Sequence, residues 1–327
     1  MKAYAPHEAM VIWGTLALLA IALLLGYAIV RIRPSGLARL ASWALAVAVV
    51  VGVERLNAKE PAGFRMLAII GALLYSMKSV VSVEAVSQGS APLTMRNWLG
   101  FAALWPGMRP GPFARASALP LSGASTLLKG GAIRAAIGFL LIALARLAWV
   151  ETHSRVLPTL LLMPGISFVV HFGVFDLLAG AWRAAGVDCK QLFRSPLQST
   201  SLGEFWGRRW NLAFSEMTAL AVYQPLVRRF GRRIALIASF LGSGLLHELA
   251  ISVPVKAGYG LPLSYFALHG LLMMIEGRLA RLGRPIDRVP WVGRVWTLFW
   301  LLLPLPILFH RPFLAGVVWP LIGMGVS

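Results

Sequence analysis

His247 stands out among the few side chains of this sequence that can transfer a proton. It lies about 13 residues into the apolar run that covers residues 234–253. If that run is a helix, His247 lies roughly 20 Å along it, at a rise of about 1.5 Å per residue. A histidine that deep in a membrane is costly, so it marks a candidate functional site. Neutral imidazole accepts a proton near pH 7, which predicts general-base chemistry at His247.

The neighbours of His247 on the same predicted helix are mostly small. Ser243, Gly244 and Ala250 share its face, because residues three and four positions apart meet on a helix. Small residues there favour either close packing of a second helix or space for a substrate, and the sequence leaves both open. Glu248 points about 100° away from His247, which predicts a supporting role. Ser243 and Glu248 are also candidates for contact with a substrate.

A second polar segment precedes this helix and reads Glu-Phe-Trp-Gly-Arg-Arg-Trp-Asn from Glu204 to Asn211. Ser201 followed by Glu204 is a capping-box pattern and predicts that a helix begins there. On that helix one face would combine aromatic side chains with an arginine, and Asn211 would lie about one turn from Gly207. The alternative interpretation is an interfacial amphipathic helix with aromatic and arginine anchors. The candidate substrate-binding residues of the segment are Phe205, Trp206, Arg208, Arg209 and Trp210.

Together, the segment ending at Asn211 and the run around His247 resemble the wax synthase branch of the membrane-bound O-acyltransferase (MBOAT) superfamily. The first motif is also similar to the Phe-Tyr-x-Asp-Trp-Trp-Asn box of sterol and diacylglycerol acyltransferases, with Arg208 and Arg209 in place of the aspartate and the first tryptophan. The resemblance covers about residues 190–280. It implies that Asn211 and His247 are the catalytic pair, that acyl-CoA is the co-substrate and that a lipophilic alcohol is the acceptor.

The reaction implied by the resemblance needs few groups. His247 would take the hydroxyl proton of the acceptor as its oxygen attacks the thioester. Asn211 would stabilise the developing oxyanion or hold the acyl carbonyl. Arg208 and Arg209 would bind the phosphates of acyl-CoA, although membrane topology and anionic lipid explain them equally well. We expect no permanently bound cofactor, and no His, Asp and Glu grouping has the spacing of a metal site.

The composition predicts a membrane protein. Of 327 residues, 58% are hydrophobic and 13% are charged, whereas soluble domains carry roughly 25% charged residues. The net charge of +19 comes mostly from short loops between apolar runs, which is typical of membrane topology and argues against nucleic acid as a partner. We therefore expect membrane lipids to surround the protein and to be among its partners. The single cysteine excludes an intrachain disulfide.

Nine apolar runs predict an all-α, polytopic, MBOAT-like fold that forms one integral membrane domain over residues 1–327. The first run is expected to be retained as a span, because its arginines follow it, whereas a signal peptide carries its charge before the run. The second and last runs are short. The predicted spans cover residues 9–30, 37–53, 66–83, 131–150, 156–182, 234–253, 259–276, 292–309 and 312–326.

The distribution of Lys and Arg predicts the orientation. Loops near residues 31–39, 84–130, 183–233 and 277–294 contain 21 of these residues, against 8 in the opposite loops. Positive loops stay inside, so we expect the N-terminus outside and the C-terminus in the cytoplasm. The Ala-, Gly- and Arg-rich usage favours a bacterial plasma membrane; in a eukaryote the endoplasmic reticulum would take its place.

The loop over residues 84–130 contains Trp98, Trp105 and several prolines. Tryptophan is enriched at membrane interfaces, so we expect both side chains to lie there. The apolar stretches between the prolines predict short re-entrant helices, which need protein around their backbone groups.

Two other functions fit parts of the sequence. A transporter or proton-coupled carrier would use His247, Glu248 and Asp176 as a polar pathway, but many carriers show half-chain repeats and none is found here. A catalytically silent scaffold would tolerate substitution of both Asn211 and His247.

Overall fold

The computed structural model describes residues 2–325, and within that range the secondary structure is helical with no strand. The predicted all-α class is confirmed. The principal helices are α1 (Ala9–Ile29), α2 (Ser35–Leu56), α3 (Ala62–Ser87), α4 (Met95–Leu104), α5 (Ala124–Thr152), α6 (Val156–Ala184), α7 (Leu212–Val255), α8 (Leu261–Arg281), α9 (Pro290–Leu308) and α10 (Arg311–Ile322).

Seven of these helices, all except α4, α8 and α10, are long and apolar enough to cross a membrane, so the predicted count of nine is not confirmed. The protein is therefore a multi-pass integral membrane protein. The short second run is in fact the 22-residue helix α2. The last predicted span, 312–326, ends outside the described residues. Its helix α10 is about 18 Å long, which is too short to cross a bilayer alone.

Helices α5 and α6 form a hairpin that packs through glycines. A Cβ atom on Gly138 would lie 2.6 Å from the backbone nitrogen of Val169, and one on Gly131 would lie 2.9 Å from that of Leu177. The opposite face of α5 presents large apolar side chains, as lipid contact requires. Part of α6, Phe168–Val174, is π-helical, and a π-turn takes up one extra residue.

The two tryptophans between α3 and α5 are buried in protein, so the expectation that they lie at the interface is wrong. Trp98 is 2% exposed and its Nε1 donates to the carbonyl of Leu23 at 3.0 Å. Trp105 is 6% exposed. The ammonium group of Lys78 on α3 donates to three carbonyls of this segment, including those of Trp105 and Gly107 at 2.6 Å each. These carbonyls lack helical partners, so a buried cation compensates for their missing bonds.

The prediction that residues 183–233 form a loop is wrong for its second half. Helix α7 begins at Leu212, and the chain turns at Gly231, whose φ of 78° and ψ of 171° are non-helical. A residue with a side chain rarely adopts that conformation. The chain therefore runs in one direction before Gly231 and returns alongside itself after it. The helix predicted over residues 234–253 is the second arm of this hairpin.

Helix α8 runs antiparallel to the second arm of α7. A Cβ atom on Gly244 would lie 2.9 Å from the Cα atom of Leu263, and one on Gly270 would lie 3.1 Å from the Cβ atom of Phe240. The small residues on the face of His247 therefore allow close helix packing, which was one of the two expected explanations. Helix α9 joins this pair, because the hydroxyl of Tyr265 donates to the carbonyl of Leu301 at 3.3 Å.

Candidate active site

The segment from Ser201 to Asn211 begins as predicted but is not one helix. The hydroxyl of Ser201 accepts the backbone N–H of Glu204 at 3.1 Å, which is the expected N-cap. Only three residues are α-helical before a five-residue π-turn, Phe205–Arg209. Asn211 lies beyond this turn and starts α7 instead of sharing a face with the arginines.

Glu204 and Arg209 close the π-turn. The guanidinium Nε donates to Oε1 of Glu204 at 2.7 Å, while Thr200 donates to Oε2 from its backbone N–H at 2.8 Å. Burial alone would raise the pKa of Glu204, but these hydrogen bonds outweigh it and lower that pKa below its ordinary value. Arg209 is thus occupied by a carboxylate, whereas Arg208 is exposed and has no ion pair among the described residues.

Glu276 anchors the start of the same segment to α8. Its carboxylate accepts the backbone N–H groups of Leu202 at 2.8 Å and Gly203 at 3.1 Å, and the indole N–H of Trp296 at 2.9 Å. A carboxylate at a helix N-terminus satisfies free amides and the helix dipole. This position of Glu276 could not be predicted from the sequence, because its partners are more than seventy and about twenty residues away.

Asn211 is the N-cap of α7 in a left-handed conformation, with φ at 43°. Asparagine tolerates this region better than most residues. Its Oδ1 accepts the backbone N–H of Phe214 at 3.3 Å, which assigns the orientation of the amide. The Nδ2 group has no hydrogen-bond partner within residues 2–325, so both of its N–H donors remain free.

The α7 hairpin brings the Asn211 end of the first arm to the level of His247 in the second arm. The turn at Gly231 is 17 residues after Phe214 and 16 residues before His247. The rings of Phe214 and His247 accordingly meet, with centroids 5.3 Å apart. Asn211 therefore lies at the level of His247 and not at the level of the turn at Gly231.

The imidazole of His247 is oriented by its own helix. Nδ1 lies 2.7 Å from the carbonyl oxygen of Ser243, four residues earlier. A carbonyl only accepts, so Nδ1 carries the proton and Nε2 presents a lone pair. Nε2 has no hydrogen-bond partner within the described chain, and the side chain is half-buried. The ring of Phe266 on α8 lies 4.2 Å from the imidazole between centroids.

The aromatic residues of the motif connect this site to α8. Trp206 lies 5.5 Å from Phe266 between ring centroids and also packs against Phe240. Phe205 stacks on Trp210 at 5.4 Å. Among the aromatic residues predicted to bind substrate, Trp206 contacts Phe266, which in turn contacts His247. Phe205 and Trp210 stack on each other at the two ends of the π-turn.

Ser243 and Glu248 take supporting positions. Ser243 is buried and provides the carbonyl that orients His247. Glu248 is buried, and its Oε1 accepts the backbone N–H of Leu263 in the first turn of α8 at 3.1 Å. The position of Phe266 in the next turn of α8 therefore depends on Glu248, in line with its predicted supporting role.

Three other intramembrane polar residues lie around this site. His269 is fully buried with Nδ1 at 2.8 Å from the carbonyl of Tyr265, and its ring lies 5.5 Å from that of Trp206. His171 packs against Trp210 at 5.7 Å. Asp176 accepts hydrogen bonds from Arg134 at 2.6 Å and Gln191 at 2.8 Å.

No hydrogen bond or ion pair in the described part of the chain joins Asp176 to His247 or Glu248. The contacts of Asp176 therefore give no support to the carrier interpretation. Sequence reasoning also missed Phe214 and Phe266, the two rings that contact His247, because apolar residues at helical spacing carry no signal of a site.

The fold and this site define a multi-pass helical membrane protein with a half-buried histidine and a nearby asparagine at one level. Residues 189–267 match the model described as the membrane bound O-acyl transferase family. This range contains both Asn211 and His247. Over these residues the resemblance to the MBOAT superfamily is thereby confirmed.

Part of this chain is also similar to curated proteins that are named as O-acyltransferases. A probable long-chain-alcohol O-fatty-acyltransferase 6 of Arabidopsis thaliana is 34% identical over 139 residues, covering 37% of this chain and 40% of that protein. A long-chain-alcohol O-fatty-acyltransferase of Simmondsia chinensis is 34% identical over 137 residues, covering 36% and 39%. An acyl-CoA–sterol O-acyltransferase 1 of Arabidopsis thaliana is 29% identical over 108 residues, covering 30% and 31%. The matched part spans about two fifths of the length of the first two relatives.

Proposed function

We propose that this protein is an O-acyltransferase that moves an acyl group from acyl-CoA to the hydroxyl of a lipophilic alcohol within the membrane. The observation that carries the proposal is the state of His247, whose Nδ1 is held by a carbonyl while Nε2 is free. The names of the relatives support the reaction class and favour a long-chain alcohol as acceptor.

The chemistry assigned to His247 is general-base catalysis. Nε2 removes the hydroxyl proton as the alcohol oxygen attacks the carbonyl carbon of the thioester. A tetrahedral intermediate forms, the C–S bond then breaks, and the imidazolium returns its proton to the departing thiolate of CoA. The products are an ester and free CoA, and His247 ends as it began.

Asn211 is assigned the stabilisation of the oxyanion that forms during the transfer. Its Nδ2 hydrogens are free because the amide oxygen is used as the cap of α7. A neutral N–H donor aimed at the oxyanion stabilises the tetrahedral intermediate without adding a charge to the membrane interior. Phe214 links the two residues, because its backbone N–H binds Asn211 and its ring contacts His247.

Direct transfer is preferred over an acyl-enzyme intermediate. Cys189 is 2% exposed, and burial raises the pKa of its thiol to about 12. A thiol in that state is a poor nucleophile. The rings of Phe214 and Phe266 give His247 apolar neighbours, which suit a long acyl chain.

We also retain the proposed orientation, with the N-terminus outside and the C-terminus in the cytoplasm of a bacterial plasma membrane. The excess of Lys and Arg in one set of loops supports it. Acyl-CoA would then reach the site from the arginine-rich side.

The test is ester formation in membranes that contain the protein, with palmitoyl-CoA and hexadecanol as substrates. We expect His247→Ala to lower the rate at least about 100-fold, since general-base catalysis contributes roughly 10²–10⁴-fold. His153→Asn is the matched control. His153 is an exposed helix-terminal histidine with φ at 52°, a conformation that asparagine tolerates. Full turnover by a folded His247→Ala variant would overturn the proposal.

A further inference from the structure

Six arginines lie at the turn of the α7 hairpin and at the C-terminal end of α8, and we refer to them as the arginine cluster. Four flank the turn of the α7 hairpin and two lie in the last turn of α8. All six are exposed. The members are Arg228, Arg229, Arg232, Arg233, Arg278 and Arg281.

The antiparallel register of α7 and α8 brings the two groups of the arginine cluster to one level. His247 lies opposite Phe266, and Phe240 lies opposite Gly270. Continuing that register towards the hairpin turn places Gly231 beside the last turn of α8. Residues far apart in sequence thus form one cationic surface.

The protein does not neutralise this surface. None of the six arginines forms an ion pair with an acidic residue of the part of the chain that the structure describes. No Asp or Glu occurs between residues 217 and 247, and Asp287 is the single acid between residues 277 and 294. Six like charges repel each other at close range, so an external anion is needed to offset them.

Exposed apolar side chains adjoin these charges. Phe230 is 49% exposed, Ile234 53%, Leu282 65% and Trp291 68%. The guanidinium of Arg229 lies over the ring of Phe230 at 5.3 Å from its centroid. Arginine beside exposed tryptophan and aliphatic groups suits the boundary between phosphate headgroups and acyl chains.

We propose that the arginine cluster binds anionic phospholipid headgroups, and that the bound lipid holds the turn of the α7 hairpin beside the last turn of α8. Guanidinium groups bind phosphate oxygens in a bidentate manner, which a zwitterionic headgroup with its own cation satisfies less well. The cluster lies about 24 Å along the α7 helix from His247, so it is separate from the reacting groups. This role does not depend on the proposed acyl transfer.

The test detects lipid binding through the thermal stability of the protein and does not depend on enzymatic activity. Protein purified in a neutral detergent is titrated with phosphatidylglycerol or phosphatidylcholine, and the thermal unfolding midpoint is followed. We expect phosphatidylglycerol to raise the midpoint and phosphatidylcholine to leave it nearly unchanged. We expect 0.5 M salt to weaken the effect, because exposed charges are screened.

Variants locate the effect. In R228Q/R229Q/R232Q/R233Q we expect the apparent affinity for phosphatidylglycerol to fall about tenfold or more, since each basic residue near anionic lipid contributes to binding. R55Q/K59Q is the matched control, because it removes two exposed cations at the other end of the bundle. If the glutamine variant does not fold, the fourfold Arg→Lys variant keeps the charge but not the bidentate geometry, so we expect it to fold and to show a weaker phosphatidylglycerol response. A response equal to that of the wild type would then overturn the bidentate binding.

An unchanged phosphatidylglycerol response in the glutamine variant would overturn the proposal. Free CoA provides the second arm of the test. If CoA raises the midpoint through the same four arginines and displaces phosphatidylglycerol, the cluster belongs to a CoA site and the proposal is wrong.

Discussion

Phe214 and His247 are 33 residues apart in sequence, yet their ring centroids lie 5.3 Å apart. Phe214 is also the residue whose backbone N–H is capped by Asn211. One aromatic side chain thus connects the two polar residues to which we assign the chemistry. The connection exists because α7 doubles back at Gly231.

Asn211→Asp separates capping from oxyanion stabilisation. The aspartate oxygen still accepts the N–H of Phe214, so we expect the unfolding midpoint to stay close to that of the wild type. The free N–H donors are lost and a negative charge takes their place, so we expect ester formation to fall by about 10²–10³-fold. Initial rates at equal amounts of folded protein provide the measurement.

The control for Asn211→Asp is Thr94→Ala, which removes the N-cap of α4 away from the site. We expect it to cost about 1 kcal/mol of stability and to leave the rate per folded molecule unchanged. Normal ester formation by Asn211→Asp would contradict the role assigned to Asn211.

Gly231→Ala tests the hairpin. The conformation of Gly231 is nearly exclusive to glycine, and a side chain there costs about 1–3 kcal/mol. We expect a lower unfolding midpoint and less folded protein, measured by thermal unfolding and size-exclusion chromatography. Gly242→Ala on the same helix is the control, because a Cβ atom there meets nothing within 4 Å. Equal stability of the two variants would argue against a strained turn.

Glu248 is expected to act on His247 through α8. Glu248→Ala leaves the N–H of Leu263 without its acceptor, so we expect a loss of about 1–3 kcal/mol of stability and a lower kcat as Phe266 shifts. Glu248→Gln keeps an acceptor oxygen and should retain most of the stability and most of the kcat. If Glu248→Gln folded normally but made no ester, a direct chemical role would replace the positioning role.

Asp176→Asn distinguishes a structural ion pair from a transport pathway. Asparagine leaves Arg134 partly buried without its counter-charge, so we expect a clear loss of stability. Ester formation per folded molecule should not change. The double variant Arg134→Met/Asp176→Leu should recover stability, because it removes both charges together. Substrate-driven proton flux that is lost only in Asp176→Asn would revive the carrier interpretation.

Part of the site could be read from the sequence because its signals are local. The depth of His247 follows from its place in an apolar run, and the N-cap at Ser201 follows from a hydroxyl three residues before a glutamate. The partner of His247 at Nδ1 is likewise on its own helix, four residues away. None of these features requires knowledge of how helices pack.

Other expectations failed where a distant part of the chain decides the outcome. Trp98 was expected at an interface, but the carbonyl of Leu23 accepts its N–H in the interior. Residues 212–230 were expected in a loop, because their hydropathy alone did not indicate a membrane span. They are helical and pack against the second arm of α7, which hydropathy does not reveal.

The sequence by itself determined that this protein is helical, that it lies in a membrane and that Asn211 and His247 belong to one motif pair. The first two conclusions rest on composition and periodicity, which are properties of neighbouring residues, and the pairing of Asn211 with His247 is what the resemblance to the MBOAT superfamily implies. Only the tertiary structure decided that Asn211 lies at the level of His247 and that Phe214 and Phe266 enclose the imidazole. The physical reason is the turn at Gly231, a single unusual backbone conformation that sets the register of two long helical arms.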